Sequence, residues 1–504
     1  MSLLDWSIVL ASLLAVIGLG IYAGRGVVDL NDYFLAGRRL GVWAVALSVI
    51  ATETSAATVI GGPDTSYRGD LAYLQTTIGA VASRFFLAYF FIETYYRHGV
   101  VTVYGYLEKR FGVAVQMSAA LLFCAGRLFA SGARLFIAAF AISTICEIDL
   151  VTVTLATGVC ALVYGSFGGL RAVVWTDVLQ GTLFLAVGAY TLHFLIQEVG
   201  GVAVVWGSLE TSGKLRLFDL RTDLLDPDFW RTPYTFWGAV LGGFTLGVAT
   251  HGTDQDMVQR MLACRTSREG KRSMVLVGLL EIPVALLFVS LGLVLWSYYQ
   301  LHPGMAPAEG ASVFPHFILT TLPTGLKGLL VTAILAAAMS SLDSALNALA
   351  SVTITDFVLP LRTRLDEGAS LHAAAIMLLS KISSVAWGGM LIGVAVVLGR
   401  YHQWLLASVG DNDPGRQTEL LSLALGVMSL LYGPLLGIFL IALFTERGTS
   451  RSCVAAMLGG LGVAIAFRSL WGDVVGWTWH IVIGVGATML VAALEKPCKS
   501  VHGK

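Results

Sequence analysis

Apolar residues run along this chain in blocks of about 20, each long enough to cross a bilayer as a helix. The blocks fall at 4–24, 41–62, 71–96, 114–145, 150–167, 172–197, 233–250, 273–299, 326–350, 376–399, 417–445, 452–470 and 477–495. They predict an all-α polytopic membrane protein of about thirteen transmembrane helices, with no soluble domain expected after the last of them. Asp5 lies in the N-terminal flank of the first run, and Arg25 follows it. That polarity is the reverse of a cleaved secretory signal, so the run reads as a span.

The short connections carry most of the charge, and its sign gives an orientation. Arg25, Arg38, Arg39, Arg97, Lys109, Arg110 and Arg171 fall on one side. A dense cluster of Arg260, Arg265, Arg268, Lys271 and Arg272 falls on the same side, as do Arg362, Arg364, Arg447, Arg451, Lys496 and Lys499. The positive-inside rule makes that side cytoplasmic, which puts the N-terminus outside and the C-terminus inside the plasma (cytoplasmic) membrane. The long 198–232 loop also holds basic residues, but long loops follow the rule less strictly. Its Leu215, Leu217, Phe218 and Leu220 suggest a short amphipathic helix on the outer surface.

Composition agrees with a lipid-bilayer setting. Of 504 residues, 56% are hydrophobic and 13% charged, and the mean hydropathy is +0.77. That is too little charge to coat soluble domains of this length. A net charge of zero argues against a nucleic-acid partner. The six cysteines form no C-x-x-C pair and suggest neither a disulfide framework nor a zinc site.

Against this background the polar residues inside spans stand out, because ionisable groups there are costly and usually functional. Those that matter are Glu53, Arg127, Arg134, Asp177, Glu281 and Asp343. Glu53 sits in Ala51-Thr52-Glu53-Thr54-Ser55-Ala56-Ala57-Thr58, a polar patch in the middle of the second span. Such a patch predicts a broken helix, which frees carbonyls for a cation and amides for an anion. In the ninth span Ser340, Asp343, Ser344 and Asn347 share one face, with Ser341 at its edge. Hydroxyls beside a carboxylate suit a hard cation, although a lone serine would more simply bond back to its own helix. Asp177 either joins such a site or pairs with Arg171. Arg127 and Arg134, seven residues apart on one helix face, either bind an anionic solute or pair with Glu53 or Asp177. Glu281, before Pro283, has no obvious partner in the sequence. No H-E-x-x-H, G-x-S-x-G or Walker A pattern occurs, so enzyme chemistry is not expected and an ion gradient is the natural energy source.

Together these residues resemble the sodium:solute symporter family over nearly the whole chain. The likeness rests on Asp32-Tyr33-Phe34-Leu35-Ala36-Gly37-Arg38, on Gly168-Gly169-Leu170-Arg171-Ala172-Val173-Val174-Trp175-Thr176-Asp177 and on Gly252-Thr253-Asp254-Gln255-Asp256-Met257-Val258-Gln259-Arg260. Ser340-Ser341-Leu342-Asp343-Ser344 and Gly433-Pro434-Leu435-Leu436-Gly437 complete it, in the family's order. The resemblance implies a LeuT-type core of two inverted five-helix repeats, 41–197 and 233–445. One extra helix (4–24) precedes it and two (452–495) follow. It implies sodium as coupling ion, no organic cofactor, and a small polar solute imported by alternating access around a midplane site.

Carried over by motif position, sodium would meet the carbonyls of Ala51, Thr54 and Ala337 and the hydroxyls of Ser340 and Ser341. A second cation would meet Asp177, Ser340, Asp343 and Ser344. Asp343 is a departure, since sugar- and sialate-type members carry a hydroxyl there. The solute would lie near Glu53, Ser55, Thr58, Tyr73, Gln75 and Arg127, and a carboxylate or amino acid is preferred to a sugar. The competing readings are a solute sensor on a transporter scaffold and a membrane hydrolase pairing His251 with Ser340.

Overall fold

A computed structural model describes residues 1–27, 29–308, 311–365, 373–409, 415–472 and 474–493. The described residues form helices and no strand; a lone bridge joins Leu40 to Cys264. The main helices are α1 (Leu3–Ala23), α2 (Val42–Glu53), α3 (Ala56–Arg68), α4 (Gln75–His98), α5 (Val113–Cys146), α6 (Leu150–Val199) and α7 (Phe236–Gly252). They continue with α8 (Gln255–Leu262), α9 (Ser267–Leu301), α10 (Leu326–Val352), α11 (Ala373–Val409), α12 (Gly415–Phe444), α13 (Ser450–Trp471) and α14 (Trp477–Ala493).

Each predicted apolar block falls on one of these helices, with two informative breaks. The second block divides into α2 and α3, which are bent by 62°. The fifth and sixth blocks form one helix, α6, interrupted at Gly169 (φ +59°). A β-carbon there would lie 2.7 Å from the Tyr33 carbonyl oxygen, so the glycine permits both the left-handed backbone and the close approach of the 32–38 segment. Eight helices among the described residues are long and apolar enough to cross a membrane, or nine with the bent pair counted as one span. Shorter apolar helices account for Leu150–Val163, Met428–Phe444 and Trp477–Ala493. In the 198–232 loop the helix forms at Val202–Thr211, not at 215–220, where the chain is non-helical.

The helix α10 lies at the centre: 89% of its apolar window is buried, against 22% for α1. It packs along α6 and also meets α5 and α11. The first helix docks on it through Asp5, whose Oδ1 accepts from the amides of Gly325 (2.8 Å) and Gly328 (2.9 Å). A carboxylate satisfying the free amides at a helix start is favourable by charge as well as by hydrogen bonding. Helices α4 and α7 approach closely on small residues: a β-carbon on Gly79 would lie 2.1 Å from the Val240 carbonyl oxygen, and one on Gly243 2.4 Å from that of Thr76. Without a hydrophobic force between helices in lipid, this backbone contact is what close packing requires.

Candidate solute and cation sites

The break between α2 and α3 exposes backbone. The Thr54 amide still donates to the Ile50 carbonyl (2.9 Å), but the Ser55 amide turns to Glu53 (2.9 Å) and the next helix starts from Ser55. The carbonyls of Ala51 and Thr54 are thereby left without a hydrogen-bond donor among the described residues. Both residues are buried. Buried carbonyls are normally satisfied, so this pair fits a cation.

The facing surface of α10 is polar and sealed. Ser340, Ser341, Asp343, Ser344 and Asn347 are all buried. Ser341 directs its proton to the carbonyls of Ala337 (2.9 Å) and Ala338 (3.2 Å), which leaves its oxygen lone pairs free to accept. Ser340 donates to Asp177 Oδ1 (2.5 Å) and is likewise free to accept. These donor sets are hard oxygens, as sodium requires.

Asp177 is the centre of a buried ionic cluster that the sequence does not reveal. It does not pair with Arg171, whose side chain is exposed. Its Oδ2 accepts from Ser48 (2.6 Å), and Arg260 Nη2 lies 3.1 Å away. Arg260 is not part of the cytoplasmic charge cluster: it is fully buried. Its guanidinium also donates to Ser48 (2.8 Å), Thr52 (2.8 Å), Asp256 Oδ1 (2.7 Å) and the Ser344 hydroxyl. The cation among Asp177, Ser340 and Ser344 is therefore the protein's own. Asp343 does not reach Arg260 within ion-pair distance; it accepts from the Ser344 amide (2.7 Å) and hydroxyl (3.3 Å) and from Thr176 (3.4 Å).

Arg260 rides on α8, a buried helix capped by Asp254, which accepts from the Asp256 amide (2.9 Å). The 252–260 signature is thus a polar connector. Gln259 reaches the Phe34 carbonyl (2.5 Å) and Asn347 (2.8 Å). Asp254 takes Arg127 (3.0 Å) and the Tyr432 hydroxyl, and Asp256 lies against Arg127 as well as Arg260. A continuous ionic chain therefore runs from Arg127 through Asp256 and Arg260 to Asp177 and Ser340.

Beside the break lies a cavity of about 430 Å³. Of the predicted solute contacts, Glu53, Ser55, Thr58, Tyr73 and Arg127 line it. Gln75 does not: its amide donates to the Ala72 (3.1 Å) and Tyr234 (2.8 Å) carbonyls, so it ties a turn rather than a solute. Arg127 lines the cavity but is spent on Asp254 and Asp256, and it pairs with neither Glu53 nor Asp177. Arg134, two turns further along α5, also lines the cavity; its Nη1 is buried with no hydrogen-bond partner. Glu53 is instead held by Arg84 (2.7 Å), as is Glu281 (3.1 Å), and His251 Nε2 lies 3.3 Å from Glu53. His251 therefore meets Glu53, with Thr250 at its other ring nitrogen (2.9 Å). Arg84 is a buried cation inside the third predicted span; its own charge was the signal available in the sequence, masked by the apolar residues around it.

The sequence model of the sodium:solute symporter family matches residues 33–460. The chain is 29% identical over 480 residues to human sodium-coupled monocarboxylate transporter 1, covering 92% of this chain and 72% of that one. It is 25% identical over 501 residues to the sodium/sialic acid symporter of Proteus mirabilis, covering 98% and 95%. Its fold is similar to that of a solved Na+-coupled sialic acid symporter in a substrate-bound outward-open state, with a TM-score of 0.84 at 24% identity over 99% of both chains.

Proposed function

The chain belongs to the sodium:solute symporter family and is a membrane-spanning, sodium-coupled symporter, and from that premise we propose that its solute carries a carboxylate bound by Arg134. The observation that carries this reading is the unpartnered Arg134 Nη1, buried in the wall of a solute-sized cavity. A buried guanidinium nitrogen left without a partner costs free energy that an incoming carboxylate recovers. Two relatives named for carboxylic acids, a monocarboxylate transporter and a sialic acid symporter, support it.

Sodium enters as co-substrate. It takes the carbonyls of Ala51, Thr54 and Ala337 and the hydroxyls of Ser340 and Ser341, joining the α2–α3 break to α10. Fixing the break fixes Glu53, Ser55 and Thr58, which line the solute cavity. Sodium thereby raises solute affinity, and the solute raises sodium affinity by the same factor. A second sodium among Asp177, Ser340, Asp343 and Ser344 would require Arg260 to withdraw from Asp177 and Ser344. Arg127 positions Asp254 and Asp256 rather than holding solute. Thirteen crossings with the N-terminus outside complete this reading, supported by the arrangement of basic loops.

The test is thermal stability of the purified protein, in sodium or potassium, against carboxylates, sugars and polyols. A ligand that binds only the folded state raises apparent stability. A carboxylate-bearing solute is expected to stabilise only in sodium. Arg134→Ala removes a charge-assisted hydrogen bond and is expected to weaken that solute about 10- to 150-fold. Stabilisation by a neutral sugar alone, or unchanged affinity in Arg134→Ala, overturns the carboxylate reading.

A further inference from the structure

The cavity is bipolar in a way one carboxylate does not use up. On one wall, Arg84 Nη2 serves Glu53 Oε1 at 2.7 Å and Glu281 Oε2 at 3.1 Å, so one guanidinium nitrogen faces two carboxylates. The arginine side chain is 1% exposed, whereas those of Glu53 and Glu281 are 29% and 20% exposed. All three line the cavity, with the acids the more open of the set. His251 touches the far oxygen of Glu53 at 3.3 Å. On the α5 side, Arg127 is matched by Asp254 and Asp256, and Arg134 is not matched.

Counting the charged groups that line the cavity with histidine neutral, Arg127 and Asp254 cancel, and Arg84 cancels one of Glu53 and Glu281. One carboxylate and one guanidinium remain, Arg134 on α5 and the acid pair on α2 and α9. A simple carboxylate would satisfy the first and leave the second as an uncompensated negative charge. A simple amine would do the reverse. The aromatic rings of Tyr73 and Tyr234, 5.4 Å apart and edge to face, also line the cavity. Such rings attract a cation as readily as they pack against an apolar carbon.

We propose that the solute is a zwitterion, its carboxylate on Arg134 and its ammonium between Glu53 and Glu281. This rests on the carboxylate reading above and narrows it to amino acids, imino acids and their N-methylated forms. Glu281 then acts as the determinant that separates an amine-bearing acid from the same acid without the amine.

The experiment uses the purified full-length protein in saturating sodium. Apparent Kd is measured from thermal stabilisation for matched pairs, such as alanine against propionate and proline against cyclopentanecarboxylate, over a panel of α-, β- and γ-amino acids and betaines. At least one amine-bearing member is expected to bind about tenfold or more tightly than its partner, the loss expected for one charged hydrogen bond. Glu281→Gln is expected to reduce that preference toward unity, weakening the amine-bearing member and strengthening its amine-free partner. If amine-free acids bind as tightly as their partners, with sodium dependence intact, the zwitterion is wrong and the carboxylate reading stands. If no acid of either kind binds, both are wrong. The wild-type pairs decide the matter even if Glu281→Gln does not fold.

Discussion

Replacing Arg260 by methionine keeps the length of the side chain and removes its charge. Arg260 is fully buried and is the only guanidinium within ion-pair distance of Asp177 among the described residues. Asp177 would keep the hydroxyls of Ser48 and Ser340, at 2.6 and 2.5 Å, but no cation. Asp256 would keep Arg127. The penalty therefore falls mainly on one carboxylate, and removing one partner of a buried pair costs about 3–5 kcal/mol. Asp177→Asn combined with Arg260→Met removes both charges and should restore much of that loss. Residues in direct contact show interaction energies of about 0.5–3 kcal/mol, and this pair belongs at the upper end. The assay is equilibrium unfolding by SDS in mixed micelles, first in choline and then in sodium. With the guanidinium gone, sodium can approach Asp177, so sodium should stabilise Arg260→Met more than wild type. Wild-type stability of Arg260→Met, or single-variant costs that add in the double variant, would refute the reasoning.

Further outcomes follow from the same contacts. Ser341→Ala removes a hydroxyl oxygen of the proposed sodium site, and should raise the sodium concentration for half-maximal uptake about tenfold while membrane expression is retained. Unchanged sodium activation would remove Ser341 from the site. Gly79→Val places carbon atoms against the α7 backbone, where even a β-carbon would lie 2.1 Å from a carbonyl oxygen, and should cost more than the about 1–3 kcal/mol typical of overpacking; SDS unfolding measures it. Gly169→Ala forces a side chain onto a backbone at φ +59°, ψ −171°, against the Tyr33 carbonyl, and should lose about 1–3 kcal/mol from backbone strain alone. A Gly169→Ala protein as stable as wild type would mean that the break in α6 is not needed.

Much of this protein is legible in its sequence because the bilayer imposes a simple rule. A segment in hydrocarbon must satisfy its own backbone, so it must be helical and apolar over its length. That rule placed the helical blocks, and the run from Ala51 to Thr58 marked the break because four hydroxyls and an acid have no place in lipid. Ser340 and Asp177 were recognisable as functional candidates from the same cost. The partners of the charges were not legible. Arg127 and Arg134 share a helix face, and spacing treats them alike; only the fold, which brings the start of α8 within side-chain reach of α5, gives Asp254 and Asp256 to the first and leaves Nη1 of the second bare. Arg260 reads as one more basic residue of a cytoplasmic loop until α8 folds inward and carries it to Asp177, 83 residues away in sequence. Arg84 joins Glu53 and Glu281, which lie 31 residues before it and 197 after it. The sequence alone determined which segments are apolar helices and which of several polar groups within them are too costly to be there without use. Tertiary structure decided which charge answers which, because in a low-dielectric interior a charge is stabilised by its nearest opposite in space, and helix packing rather than spacing along the chain sets that distance.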